Sequence, residues 1–134
     1  MEIIVQKKIN ERFFQETNRG LTNPSSGTVI LEGAVSPKFW DFYLVAQKVT
    51  QGTCTPTKYT VVYNTTDIGL SFNSSEQELA DLTFTQCFNY YNWQGAIKTP
   101  ACVMYASRIA YFVQTALGTK LPQDVNLLNQ LFYL

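Results

Sequence analysis

Two short runs, WDFYLVAQKV at residues 40–49 and KYTVVY at 58–63, constrain this chain more than any other feature. Both are dense in aromatic and β-branched side chains, which fit the pleated surface of a strand. A strand with one face in water alternates apolar and polar residues, and these two runs are more apolar than that pattern requires. They are expected to be central strands of a sheet carrying helices. Gly52 and Pro56 mark the loop between them as a turn region.

The helices follow. Ser75 with Glu78 forms a capping box, with Ser74 and Gln77 as an alternative one residue earlier, and predicts a helix over 75–91. Leu79, Leu82, Cys87 and Tyr90 fall near one side, and Phe84 and Phe88 widen the buried arc. Gly95 and Pro100 break the chain before a second helix over 103–117. There Tyr105, Ile109, Phe112, Val113 and Ala116 form a helical stripe, and Gly118 ends it. Earlier, residues 2–9 read as a strand with 10–18 as its continuation, 17–27 as a surface loop and 28–31 as a short strand. Ser36-Pro37 resembles the start of a brief helix. The tail offers a short helix from Pro122 and an apolar end at 131–134. Strands followed by two helices suggest an α/β domain, or the latter part of one.

At 134 residues and 46% hydrophobic content, the chain can fill one core. Ten basic and ten acidic residues cancel, so global charge gives no reason to expect nucleic acid or an anionic membrane as a partner. A basic patch has to be assembled in three dimensions. The charges are unevenly spread: residues 65–85 hold Asp67, Glu76, Glu78 and Asp81 without a cation, whereas 95–134 hold Lys98, Arg108 and Lys120 against Asp124.

There is no basic, apolar leader and no apolar run of about 18 residues, which predicts an intracellular protein. The chain has no histidine, which excludes a histidine triad, an imidazole base and a histidine zinc site. Asp and Glu remain available as metal ligands. Cys54, Cys87 and Cys102 are odd in number and lack CxxC spacing, so they read as buried free thiols. Asn64 and Asn73 open glycosylation-type triplets, read here as loop-forming polar residues.

Lys98 lies in the break between the helices and Arg108 on the second one. A cleft holding both with Tyr90 and Tyr105 would offer cations, hydroxyls and stacking surface to a nucleic-acid backbone. The competing reading, which periodicity favours, puts the two tyrosines in the core and the cations in solvent. Gln51, Gly52 and Thr53 can bring backbone amides and a hydroxyl to a phosphate, or simply connect two strands. GTVILEG at 27–33 lacks the Gly-Lys-Ser/Thr ending of a phosphate loop, and Glu32 has no second carboxylate at supporting spacing. Trp40 and Trp93 read as core.

The order and wording of several segments go further: NPSSGTVILEGAVSPKFWDFYLVAQKVTQGTCTPTKYTVVYN, LTFTQCFNYYNWQGAIKTPACVMYASRIAYFV and the ending LFYL. From residue 3 to 134 the chain resembles the C-terminal half of the PIWI domain of Piwi-branch Argonaute proteins. The resemblance implies a partial RNase H-like fold of central strands followed by two main helices. It also implies a part in small-RNA-guided recognition of target RNA, with magnesium-dependent cleavage in active members.

The first two catalytic aspartates of the family, and its additional glutamate, fall upstream of the matched part. The remaining position, usually histidine or aspartate, falls on Ser107. A hydroxyl neither offsets metal charge nor binds as strongly as those groups, so the chain is expected not to cleave. Lys58 and Phe88 stand at two further positions where the family commonly has histidine.

The same match makes Gln51, Gly52, Thr53, Tyr90, Asn92, Lys98 and Tyr105 candidates for guide-backbone contact. The C-terminal carboxylate of Leu134 is a candidate ligand for a magnesium ion near the guide's 5′ phosphate. Implied partners are guide and target RNA, a MID domain and the N-terminal PIWI portion, with no membrane, in the cytoplasm or nucleus. Two alternatives stay open. One is an active RNA-guided endoribonuclease whose missing ligands lie outside this chain, and the other is a non-catalytic protein-interaction fragment using exposed strand edges or the apolar tail.

Overall fold

The run at 40–49 does supply a central strand. In the computed structural model, which describes residues 2–63, 76–118 and 130, β1 (Glu2–Gln6), β4 (Thr28–Ile30), β5 (Trp40–Val45) and β6 (Thr57–Tyr63) form one sheet in the order β1-β6-β5-β4. All three pairings are antiparallel, with Phe42 opposite Tyr59 and Leu44 opposite Val29. A separate hairpin joins β2 (Gln15–Thr17) to β3 (Gly20–Thr22). Two helices follow, α1 (Glu76–Gln86) and α2 (Ala101–Phe112), the latter continuing as a π-helical stretch, Val113–Leu117.

Strand alternation divides β5 between two faces. Phe42, Leu44 and Ala46 join Tyr59, Leu79, Ala80 and Cys87 in the main core, where the Phe42 and Tyr59 rings stack at 4.9 Å. Burying a side chain such as Phe42 or Leu44 contributes about 1.5–3 kcal/mol. On the opposite face Asp41 and Tyr43 are also buried, with the edge of the Phe13 ring against Tyr43 and Glu11 at its hydroxyl. The apolar excess of β5 therefore has two sources: helix on one face, and the irregular segment after β1 on the other. A smaller cluster of Tyr90, Ile97 and Ala101, with Met104 and Tyr105 against it, seats the start of α2.

Several boundaries differ from expectation. β5 ends at Val45 rather than 49 because the Gly27 N–H bonds the Val45 carbonyl and the Ser26 hydroxyl bonds that of Ala46, turning the chain out of the ladder. Gly27 is required there: its φ is +88°, and an added Cβ would sit 3.2 Å from the Phe84 ring. β1 stops at Gln6. The expected loop at 17–27 contains most of the β2–β3 hairpin, closed by Thr17, whose hydroxyl donates to the Gly20 carbonyl and accepts from the Arg19 N–H.

No helix forms at Ser36-Pro37, where residues 32–39 run through bends and turns and the Ser36 hydroxyl accepts from the Lys38 N–H. α1 ends at Gln86 as Cys87 and Phe88 switch to i→i−3 bonding, and Leu82 and Phe88 are exposed rather than core. α2 begins two residues early, at Ala101, after Pro100. Its expected stripe is half-buried, and Ala116 is exposed. Cys54 and Cys87 are buried free thiols, but Cys102 is exposed. Ser74, Ser75, Asn64, Asn73, the Pro122 helix and the apolar end lie outside the described residues. Among the described residues no helix is long and apolar enough to cross a membrane.

Candidate nucleic-acid interface

The loop after β5 is shaped from a distance. Asn23 donates its side-chain amide to the Gly52 carbonyl at 2.8 Å and accepts the Cys54 N–H at 2.9 Å, holding the loop that carries Gln51, Gly52 and Thr53. Gly52 has a φ of +78°, a left-handed turn that side-chain-bearing residues adopt only under strain. The three residues are exposed. Thr53 and Cys54 line a depression of about 220 Å³ with Val45, Ala46, Gln47 and Lys98.

Lys98 is fixed at both ends. Its carbonyl accepts the Thr57 hydroxyl at 3.1 Å, and its Nζ donates to the Lys7 carbonyl at 3.0 Å. Burial, then the nearby Arg12 charge, hold its ammonium below the ordinary lysine range, with Cys54 opposing. Burial pushes the Cys54 thiol up even though Lys98 and Arg12 act the other way. Arg12 is itself oriented, its guanidinium donating to the carbonyls of Ile9 and Glu11.

Lys98 and Thr53 thus line one depression, the Lys7 carbonyl takes the Lys98 ammonium, and the Arg12 charge acts on it. Sequence reasoning missed both Lys7 and Arg12. The signal was the basic cluster Lys7, Lys8 and Arg12, but 91 residues separate Lys7 from Lys98 and only the path of the chain beyond β1 brings them together.

Tyr90 and Tyr105 take the core role. Tyr90 is 8% exposed, its ring centre 5.3 Å from that of Tyr105. The Tyr105 hydroxyl accepts the Tyr91 N–H at 2.9 Å and points its proton to the Asn89 carbonyl at 3.3 Å, so it braces the turn after α1. Asn92 is exposed on that turn, and Arg108 is exposed on α2. Trp93 is exposed and not core, whereas Trp40 packs against the core.

Ser107 is half-buried on α2, donating to the Val103 carbonyl at 2.8 Å and accepting the Lys7 ammonium at 2.7 Å. Lys58 pairs with Asp41 at 2.8 Å on the sheet face opposite α1, and Phe88 packs edge-on against Phe84. Among the described residues no three His, Cys, Asp or Glu side chains gather as a metal site. Leu134 lies outside the described residues.

The family model for the Piwi domain matches residues 1–117. Protein argonaute-3 of Drosophila melanogaster is 40% identical over 134 residues, and Piwi-like protein 3 of Homo sapiens 41%. Each alignment covers 98% of this chain and 14% of the relative, so the chain spans about a seventh of their length. The crystal structure of Drosophila Piwi superposes with a TM-score of 0.81 at 37% identity, over 98% of this chain and 17% of that one. The C-terminal lobe of a budding yeast Argonaute shares the fold, with a TM-score of 0.76 at 22% identity over 98% of this chain and 30% of that one. The sheet with its two following helices is therefore a partial RNase H-like fold. On the extent of the match and on the agreement of fold, the chain belongs to the Piwi domain family, as a C-terminal portion of that domain akin to the Piwi branch of the Argonaute proteins.

Proposed function

We propose that this chain forms guide-RNA-holding surface of a Piwi-branch Argonaute protein in small-RNA-guided silencing, and that it does not itself cleave target RNA. The observation that carries the reading is the meeting of Lys98 with Thr53 of the Asn23-held loop at one depression, with the Arg12 charge acting on Lys98. Lysine and arginine groups fix a nucleic-acid backbone in register without reading its sequence. A cation whose ammonium is disfavoured by burial and by a neighbouring cation gains most when a phosphate arrives. Gly52 lets a backbone approach closely, and Thr53 adds a hydroxyl. Tyr90 and Tyr105 support this surface by seating α2 and the turn before it.

Cleavage by the family's metal chemistry uses carboxylate or imidazole ligands, and the neutral hydroxyl of Ser107 is a poor substitute for either. In the complete protein the N-terminal PIWI portion and a MID domain would close the guide pocket in the cytoplasm or nucleus. There the Leu134 carboxylate would be available to a magnesium ion at the guide's 5′ phosphate.

Titration of the chain with 5′-phosphorylated and 5′-hydroxyl short RNAs at several salt concentrations tests the reading. Lys98→Ala is expected to weaken binding about tenfold or more and to flatten the salt dependence by about one unit of slope. Unchanged affinity and slope would refute the role given to Lys98. For the complete guide-loaded protein, metal-dependent target cleavage that is abolished by Ser107→Ala would overturn the non-cleaving assignment.

A second reading, protein docking, is favoured by an apolar cleft of about 370 Å³ whose lining includes Ile3, Val5, Tyr59, Leu82 and Val103. No preference for phosphorylated RNA, together with partner binding that survives Lys98→Ala, would favour it.

A further inference from the structure

Ser107 occupies the position at which the family resemblance expects a metal ligand, but its hydroxyl is already committed. The proton goes to the Val103 carbonyl one turn back, at 2.8 Å, and a lone pair accepts the Lys7 ammonium at 2.7 Å. A serine hydroxyl has one proton and two lone pairs, so its proton and one lone pair are in use, the lone pair by an ammonium. Lys7 is itself held through its carbonyl by Lys98, whose ammonium feels Arg12 as well.

A divalent ion at this oxygen would stand beside an ammonium, and it requires several oxygen ligands, carboxylates above all. No cluster of three such acidic, thiol or imidazole groups exists among the described residues. The residues present do not fit magnesium at Ser107.

We infer that Ser107 seats the Lys7 ammonium in place of a divalent cation, and that this hydrogen bond ties α2 to the exit of β1. The link joins residues 100 apart in sequence. With the Lys98 bond to the Lys7 carbonyl it forms a continuous chain from α2 through the end of β1 to the loop before α2. The assignment of Ser107 to a ligand position rests on the proposed family role; the tie itself rests on the hydrogen bonds.

Amide hydrogen exchange on the chain without RNA, in magnesium and in EDTA, tests it. Lys7→Met and Ser107→Ala are each expected to speed exchange of α2 amides by about threefold to tenfold, and the double substitution to add little to either. Lys7→Arg, which keeps a cationic donor, should restore most of the protection and shows that the fold survives substitution at this site. Ser107→Asp should slow exchange equally in magnesium and in EDTA, because the new carboxylate pairs with Lys7. Magnesium-dependent protection of α2 in the unaltered chain or in Ser107→Asp would overturn the inference, as would unchanged exchange in Lys7→Met. Because no RNA is present, failure of the guide-binding reading leaves these outcomes readable.

Discussion

Asp41 and Lys58 show how a buried carboxylate and a half-buried ammonium settle a strand face. Asp41 is 3% exposed, and burial works against its charge. The hydrogen bonds from Lys58 and Thr60, with the Lys58 charge, outweigh that and hold its carboxyl below the ordinary 3.8. The hydrogen bond to Asp41 in turn raises Lys58 above its ordinary 10.5 despite partial burial. The depressed carboxyl stabilises the fold above its unfolded pKa, and that contribution is lost as pH falls through the folded value. The raised ammonium stabilises the fold below 10.5, and its contribution is lost as pH rises through its folded value.

Lys58→Met strands a buried carboxylate and is expected to cost about 3 kcal/mol at neutral pH. Urea denaturation checks this: the deficit should shrink as Asp41 is protonated in acid, and Asp41→Asn with Lys58→Met should recover most of it. A single substitution within experimental error of the unaltered chain would show the pair to be inert. The family resemblance marked Lys58 as an unusual residue, but its partner was not legible. Asp41 lies 17 positions away, and only the register that sets Tyr43 against Lys58 and Asp41 against Thr60 brings the two side chains together.

At the scale of elements, the loop after β5 depends on a residue far outside it. Asn23 supplies both hydrogen bonds that hold the Gly52 carbonyl and the Cys54 N–H, so Asn23→Ala should destabilise the chain by about 1–3 kcal/mol, read as a lowered urea midpoint. It should also speed exchange of the Cys54 amide and weaken RNA binding alongside. RNA affinity that stays constant while the Cys54 amide opens would separate this loop from the binding surface. Sequence reading found the loop from Gly52 and Pro56 and its neighbour Lys98 from the helix break, because glycine and proline act locally. It missed the hairpin at β2 and β3 because every residue of those strands is exposed, which leaves no hydrophobic alternation to detect. It extended β5 and α1 too far because their apolar composition continues beyond the hydrogen bonds that end them.

At the scale of the molecule, β1 is an edge strand among the described residues. It alternates exposed Glu2, Ile4 and Gln6 with half-buried Ile3 and Val5, and Ile4 is 52% exposed. An edge strand with an exposed isoleucine favours strand addition by another chain. Sedimentation of the chain is therefore expected to show concentration-dependent association that Ile4→Lys reduces. Association unaltered by Ile4→Lys would place the contact elsewhere.

The amino-acid order alone was enough for the central strands, the two helices and the family, because strand and helix periodicity and turn chemistry are written in near neighbours. The chain's path through space decided the rest. It put Lys7 and Arg12 beside Lys98, committed the Tyr105 hydroxyl to a turn, covered one face of β5 with an irregular segment and turned Ser107 toward an ammonium. Each of those outcomes joins groups from separate segments, and their energies depend on distance and burial, which no local pattern of residues specifies.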